Sequence, residues 1–221
     1  MLLAEDLLLV LTDDDTGKLA ASRANVDLAL GGALLAELAL MDRVDVADAD
    51  EHVREGRLVI TDTNPTGDGL LDEALAIVGH KEGKKPNSVV ARFGKGVRVR
   101  LYERLAKGGV LRAEEDRVLG IFPTHRWPVA DAAHEMSVRA GLAAALRNGA
   151  TTEERTGALV SLLHALKVAH KVMDPGSVGL SKKELNANAK RIAEGDWAAK
   201  AVRQAIDSRN AAIIAATSPR R

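Results

Sequence analysis

The chain has no cysteine, which excludes a disulfide framework, a thiolate metal site and a cysteine nucleophile. A reducing, intracellular setting is compatible with this. Aromatic residues make up only 2% of the 221 residues, against 46% hydrophobic residues in all. The core must therefore come from Leu, Val, Ile and Ala, a composition that favours helix. With so few rings, base stacking on nucleic acid has little to work with. No apolar run reaches the roughly 20 residues that cross a bilayer. The most apolar stretch, Met1 to Leu11, is broken by Glu5 and Asp6. It carries neither the basic lead nor the cleavage site of a signal peptide. Any membrane contact is expected to be peripheral. A chain of this size buries about 70% of its unfolded surface on folding. Hydrophobic content does not shift along it, and no repeat or low-complexity tract interrupts it. Residues 1–221 therefore read as a single domain, mostly α, with small peripheral β-hairpins.

What is present is charge sorted by position. The totals balance at 31 basic and 31 acidic residues, but residues 1–80 hold five basic and seventeen acidic side chains. Residues 81–112 hold ten basic side chains against Glu82 and Glu103. Such a surplus makes a positive field over any surface it shares. It points to an anionic partner: a phospholipid headgroup, nucleic acid or an acidic protein face. The alternative is a solvated face that pairs with the acidic first third of the same chain.

Leu2 to Leu11 reads as a short buried helix, followed by turn chemistry at Asp13-Asp-Asp-Thr-Gly17. Val26 to Met41 is a broad-faced helix whose Gly31-Gly32 pair implies close approach by another backbone. Val44–Val46 and Arg57–Ile60 alternate as a hairpin would. Asp68 is placed to cap a helix beginning near Leu70, with Asp72 and Glu73 in the first turn. Two helices are expected at Ser88–Phe93 and Val97–Lys107, parted by Gly94 and Gly96. Strand competes in the second, where Val97, Val99 and Leu101 alternate. Val110-Leu111 and Val118–Phe122 read as strands, and Pro123–Pro128 as an exposed loop carrying Trp127. The remainder is helical: Asp131–Leu146, Thr152–Val172, Ser181–Ala193 and Trp197–Ala216, with a helix-start signal at Thr151–Glu154.

Catalytic motifs are scarce. His52, His80, His125, His134, His164 and His170 form no recognisable ligand set, so no metal or other cofactor is expected. Asp15-Thr-Gly17 lacks the apolar strand context of a protease loop. Neither Gly67-Asp-Gly69 nor Gly94-Lys-Gly96 completes a phosphate loop. The chain is read as a non-enzyme. The basic segment is then the main functional signal. In helical register Lys95, Arg98 and Tyr102 share one flank, and Arg100, Arg104 and Lys107 another. Val97, Leu101 and Leu105 point inward between them. Near an anionic membrane each such cation contributes about 1 kcal/mol.

Several segments together resemble the Golgi phosphoprotein 3 family in its compact bacterial form. They are the Leu-rich start with Asp14-Asp-Thr-Gly17, Leu34-Leu-Ala-Glu-Leu-Ala-Leu40 and Pro65-Thr-Gly-Asp-Gly-Leu-Leu-Asp-Glu-Ala-Leu75. Arg98-Val-Arg-Leu101, Gly108-Gly-Val-Leu111 and Leu159-Val-Ser-Leu-Leu-His164 follow in order. The resemblance implies a mostly helical domain that binds phosphatidylinositol 4-phosphate and recruits glycosyltransferases. It also implies a projecting hairpin for self-association and membrane contact. That hairpin would span about 118–129, with Phe122, His125 and Trp127 as its contact residues and Phe122 and Trp127 near the tip. A loop anchor is the other reading of Trp127.

The family's headgroup arginines fall near Lys95 and Arg98, with Arg100 just beyond. Its tryptophan and arginine on the long helix fall at Ser22 and Gly31, and Arg23 lies beside the first. Arg and Gly are not exchangeable at a phosphate contact. The expected headgroup residues are therefore Lys95, Arg98, Arg100 and Arg23. The expected protein is a cytoplasmic adaptor, peripheral on the membrane face, that binds anionic phospholipid. The rival is a homo-oligomeric interaction module that binds no lipid; nucleic-acid binding is disfavoured.

Overall fold

Helix α2 (Arg23–Leu40) is the axle of the molecule: twelve of its 18 residues are buried. A helix apolar on nearly every side can only sit inside others. The computed structural model describes residues 1–48, 53–118 and 122–217, with all their side chains except those of 115–118, 122–126 and 212–217. Around α2 pack α1 (Leu3–Leu11), α3 (Gly69–Gly79), α4 (Asn87–Gly94), α5 (Val97–Lys107) and α7 (Glu154–Leu166), together with the long α10 (Trp197–Thr217). Helices α6 (Ala133–Asn148), α8 (Ala169–Val172) and α9 (Lys182–Ile192) close the far side against α1 and α7. Leucine and alanine dominate the contiguous buried cluster, as the aromatic-poor composition requires.

The glycine pair in α2 has the role its position implied. A Cβ on Gly31 would collide with the Val90 carbonyl oxygen of α4, and one on Gly32 with the Val202 side chain of α10. The contact is reciprocal, because a Cβ on Gly94 would strike the Asp27 carbonyl oxygen. The α2 and α4 backbones therefore touch without intervening side chains.

Two antiparallel hairpins complete the described residues. Strands β1 (Val44–Val46) and β2 (Leu58–Ile60) pair with Val44 opposite Ile60, as the alternation predicted. The second hairpin differs from expectation. Strands β3 (Glu114–Val118) and β4 (Phe122–Arg126) pair so that Val118 faces Phe122. Val118–Phe122 is thus not one strand but the two ends that flank the reversal, and residues 119–121 lie outside the described residues. Leu111 instead makes an isolated bridge to Val129. Helix α7 ends at Leu166 rather than running on to Val172, because Lys167 adopts a left-handed conformation at φ 60°. The competition at Val97–Lys107 resolves to helix, with Val97, Leu101 and Leu105 buried.

Three buried carboxylates sit where the sequence showed only interruptions of an apolar run. Glu5, Asp6 and Glu37 are 4%, 2% and 7% exposed. Glu5 closes a capping box on the Leu2 N–H, and Glu37 accepts from the Leu3 N–H. Both satisfy donors orphaned at the start of α1 and place negative charge at its positive end. Arg155 of α7 donates to Asp6 at 2.9 Å, to Glu37 at 2.7 Å and to the Met1 carbonyl at 2.8 Å. His134 of α6 meets the other Asp6 oxygen at 2.7 Å. One guanidinium therefore joins α1, α2 and α7. Removing it leaves two carboxylates buried without their main counter-charge, which costs about 3–5 kcal/mol. Arg155→Met is expected to lose that much in urea unfolding. A loss below about 1 kcal/mol would show that this pairing does not hold α1 in place.

Candidate functional site

The basic segment divides by partner once the chain is folded. Helix α5 starts at Val97, after Gly96 turns the chain at φ 75°. Lys95 lies outside that helix, as the extended cap of α4. Its position is set by the Gly94–Asp27 backbone contact rather than by helical register, so the expected Lys95–Arg98–Tyr102 ladder is only partly helical. Val97, Leu101 and Leu105 form the buried stripe, and the α5 arginines fan out from it.

Those arginines meet the acidic first third of the chain. Arg100 makes a bidentate pair with Glu73 of α3, at 2.7 and 2.8 Å. The hydrogen bonds from Arg100 hold the Glu73 carboxyl below its ordinary range. Arg104 donates to Glu5 at 3.1 Å and to Asp68 at 2.7 Å. Asp68 serves twice, because its other oxygen accepts from the Leu70 and Leu71 N–H groups and caps α3. Thr66 donates its N–H and its hydroxyl to Asp72, closing the same loop. The Pro65–Leu75 stretch, prominent in the sequence, is thus a capping loop that also grips α5.

Arg98 is held differently. Its Nε donates to Asp27 of α2 at 2.9 Å, and its Nη atoms have no hydrogen-bond partner among the described residues. Arg23 begins α2 one turn before Asp27, so both side chains lie on one face. Arg23 and Lys95 are exposed, and neither makes an ion pair among the described residues. Tyr102, one turn beyond Arg98, is buried and stacks on Trp127 with ring centroids 5.3 Å apart and planes 3° from parallel. The Thr12 hydroxyl donates to the Leu8 carbonyl, so the 2.9 Å contact with Tyr102 has the phenol donating to Thr12. Burial pushes the Tyr102 phenol above its ordinary value, offset in part by the nearby charges of Arg98 and Arg23.

Arg23, Arg98 and Tyr102 therefore share one edge, with Lys95 beside it, while Arg100 turns toward α3. Trp127 sits at the base of the β3–β4 hairpin, not near its tip. It is partly buried because Tyr102 offers the ring on which it packs. Phe122 and His125 lie in β4, by backbone, on the arm that returns from the reversal. Their side chains, like all of His52, lie outside the described residues. Ser22 caps α2 by accepting from the Asn25 N–H. Gly31 is enclosed by α4 and has no room for a side chain. Asp27, the counter-ion of Arg98, was not apparent in the sequence, because the two are 71 residues apart.

A mostly helical protein with two short hairpins and a basic edge at the start of its central helix is the class this fold defines. The chain belongs to the Golgi phosphoprotein 3 (GPP34) family, whose model matches residues 3–209. It is also similar to vacuolar protein sorting-associated protein 74 of Eremothecium gossypii, at 34% identity over 159 residues. That match covers 62% of this chain and 46% of the relative, so the chain spans about half the length of the curated relative it matches. No described helix is long and apolar enough to cross a membrane.

Proposed function

We propose that the protein is a non-catalytic peripheral membrane or adaptor protein that binds anionic phospholipid at the edge formed by Arg23, Lys95 and Arg98. By family resemblance the headgroup is a phosphoinositide such as phosphatidylinositol 4-phosphate. The observation that carries the reading is the state of Arg98. One nitrogen is anchored to Asp27 while the other two are left for a phosphate, with the exposed cations Arg23 and Lys95 alongside. Anchored guanidinium groups suit phosphate recognition because their fork is already oriented. Arg100 belongs to the same basic helix but contributes less, since its fork is spent on Glu73. The closed position at Gly31 means that this chain holds a headgroup without an arginine from the middle of α2.

Vesicle flotation tests the assignment. At about 1 kcal/mol per cation, the Arg23→Ala/Lys95→Ala/Arg98→Ala variant is expected to bind anionic vesicles roughly 100-fold more weakly. Arg100→Ala is expected to change binding by less than about fivefold. A triple variant that floats like the parent would refute the site. Vesicles of phosphatidylinositol 4-phosphate compared with phosphatidylglycerol identify the headgroup.

A second reading, homo-oligomerisation, is favoured by the β3–β4 hairpin, which packs chiefly on itself among the described residues. Phe122 and His125 would then lie at the contact. Light scattering is expected to show loss of self-association when residues 115–125 are replaced by a short Gly-Ser turn. An unchanged mass above the monomer would place the interface elsewhere.

A further inference from the structure

A second basic locus lies on α7 and on the first turns of α10, at the other end of α10 from Asn25 and Arg23. Arg209 of α10 donates to Asn25 beside Arg23, and Lys200 is nine residues earlier, about 14 Å along the helix axis. Two ladders of i, i+3 spacing face each other there. Helix α7 presents Ser161 and His164, with Lys167 as its C-cap; helix α10 presents Trp197, Lys200 and Arg203. Between them is a cavity of about 500 Å³, walled additionally by Ala165, Ala193 and Ala199. That volume falls within the ordinary range of small-molecule sites.

The charges around this cavity are unbalanced. Arg203 donates to the Ala165 carbonyl at 3.0 Å, which fixes it across the end of α7, and Asp207 touches it from the solvent side at 3.4 Å. Lys167 and Lys200 make no ion pair among the described residues. Asp196, on the wall, accepts from the Ala199 N–H at 2.9 Å, and burial raises its carboxyl above the ordinary range. Burial lowers the pKa of His164, as do Arg203, Lys190 and Lys167. The start of α10 adds the positive end of its dipole, with its Ala199 N–H already taken by Asp196. Lys167, moreover, holds a left-handed backbone that glycine or asparagine usually occupies.

The geometry points to a binding site for a small phosphomonoester carrying an apolar or aromatic body. Its phosphate would lie among Lys167, Lys200 and Arg203, and its body against Trp197 and the alanines. Such a group could come from a soluble metabolite or from a single-chain phospholipid. This site is separate from the Arg23/Lys95/Arg98 edge and does not depend on it.

Phenyl phosphate, inorganic phosphate and phenol serve as probes, read by calorimetry and by the ring-proton titration of His164. Phenyl phosphate is expected to bind at least about tenfold more tightly than either fragment, because only it fills both halves of the cavity. It should also raise the His164 titration midpoint, against the opposing charges of Lys167, Lys190, Lys200 and Arg203 and with the carboxylates Asp196 and Asp207. Lys167→Ala/Lys200→Ala removes exposed side chains only and is expected to weaken binding at least about tenfold. Lys95→Ala/Arg98→Ala should leave binding unchanged. The assignment fails if phenyl phosphate does not bind at about 10 mM, if the lysine double variant binds equally well, or if the Lys95/Arg98 variant abolishes binding. A headgroup-free single-chain phosphate lipid that competes with phenyl phosphate would identify the lipid source, and one that does not would identify the soluble source.

Discussion

Helix α5 is fastened by its own arginines, and the arrangement of the basic edge follows from that. Arg104 reaches a nearly buried Glu5 and the capping carboxylate Asp68, Arg100 clamps Glu73, and Arg98 touches Asp27. Helices α1, α2 and α3 all supply counter-charges, so α5 is tied to three neighbours at once. The strength of these ties differs. The Glu73 pair is well exposed, and such pairs contribute at most about 1 kcal/mol. The Glu5 end of Arg104 is buried, and losing its partner would be far more costly. On this edge the same sorting leaves Arg23, Lys95 and two nitrogens of Arg98 outside any ion pair among the described residues.

Close backbone packing positions that edge. Gly31 and Gly94 let α2 and α4 touch, and the contact at Asp27 fixes where Lys95 leaves α4 and where Gly96 starts α5. A side chain at Gly31 would push α4 away and carry α5 with it. The position that resembles a family arginine is therefore committed here to packing. On the proposed reading, the cations this edge offers a headgroup are those at the start of α2 and at the α4–α5 junction. Tyr102 and Trp127 brace the edge from the hairpin side, so the base of β3–β4 is structural.

Much of the fold was legible from local signals. The apolar face of α2, the cap at Asp68 and the α5 stripe all appear where spacing placed them. What escaped was non-local. Glu5 and Asp6 looked like breaks in an apolar run, because Arg104, Arg155 and His134, which neutralise them, lie about 100 to 150 residues away. The short run Val118–Phe122 read as a strand because an apolar run alone does not distinguish one strand from two strand ends. The basic run was legible as charge, but its division into spent and unspent arginines was not. That division depends on α3 and α2 standing beside α5. Of the two readings of the run, pairing within the chain holds for Arg100 and Arg104, and the anion reading is carried by the proposal at Arg98.

The most direct measurement is the affinity of Asp27→Asn for anionic vesicles. The substitution keeps the side-chain shape and the backbone contact with Gly94, and it removes the negative charge beside Arg98. If Arg98 is the anchored centre of an anion site, binding should strengthen about fivefold, the value of roughly 1 kcal/mol of relieved neutralisation. Binding that is unchanged or weaker would contradict the account, because Arg98 would then be a structural partner of α2 and nothing more.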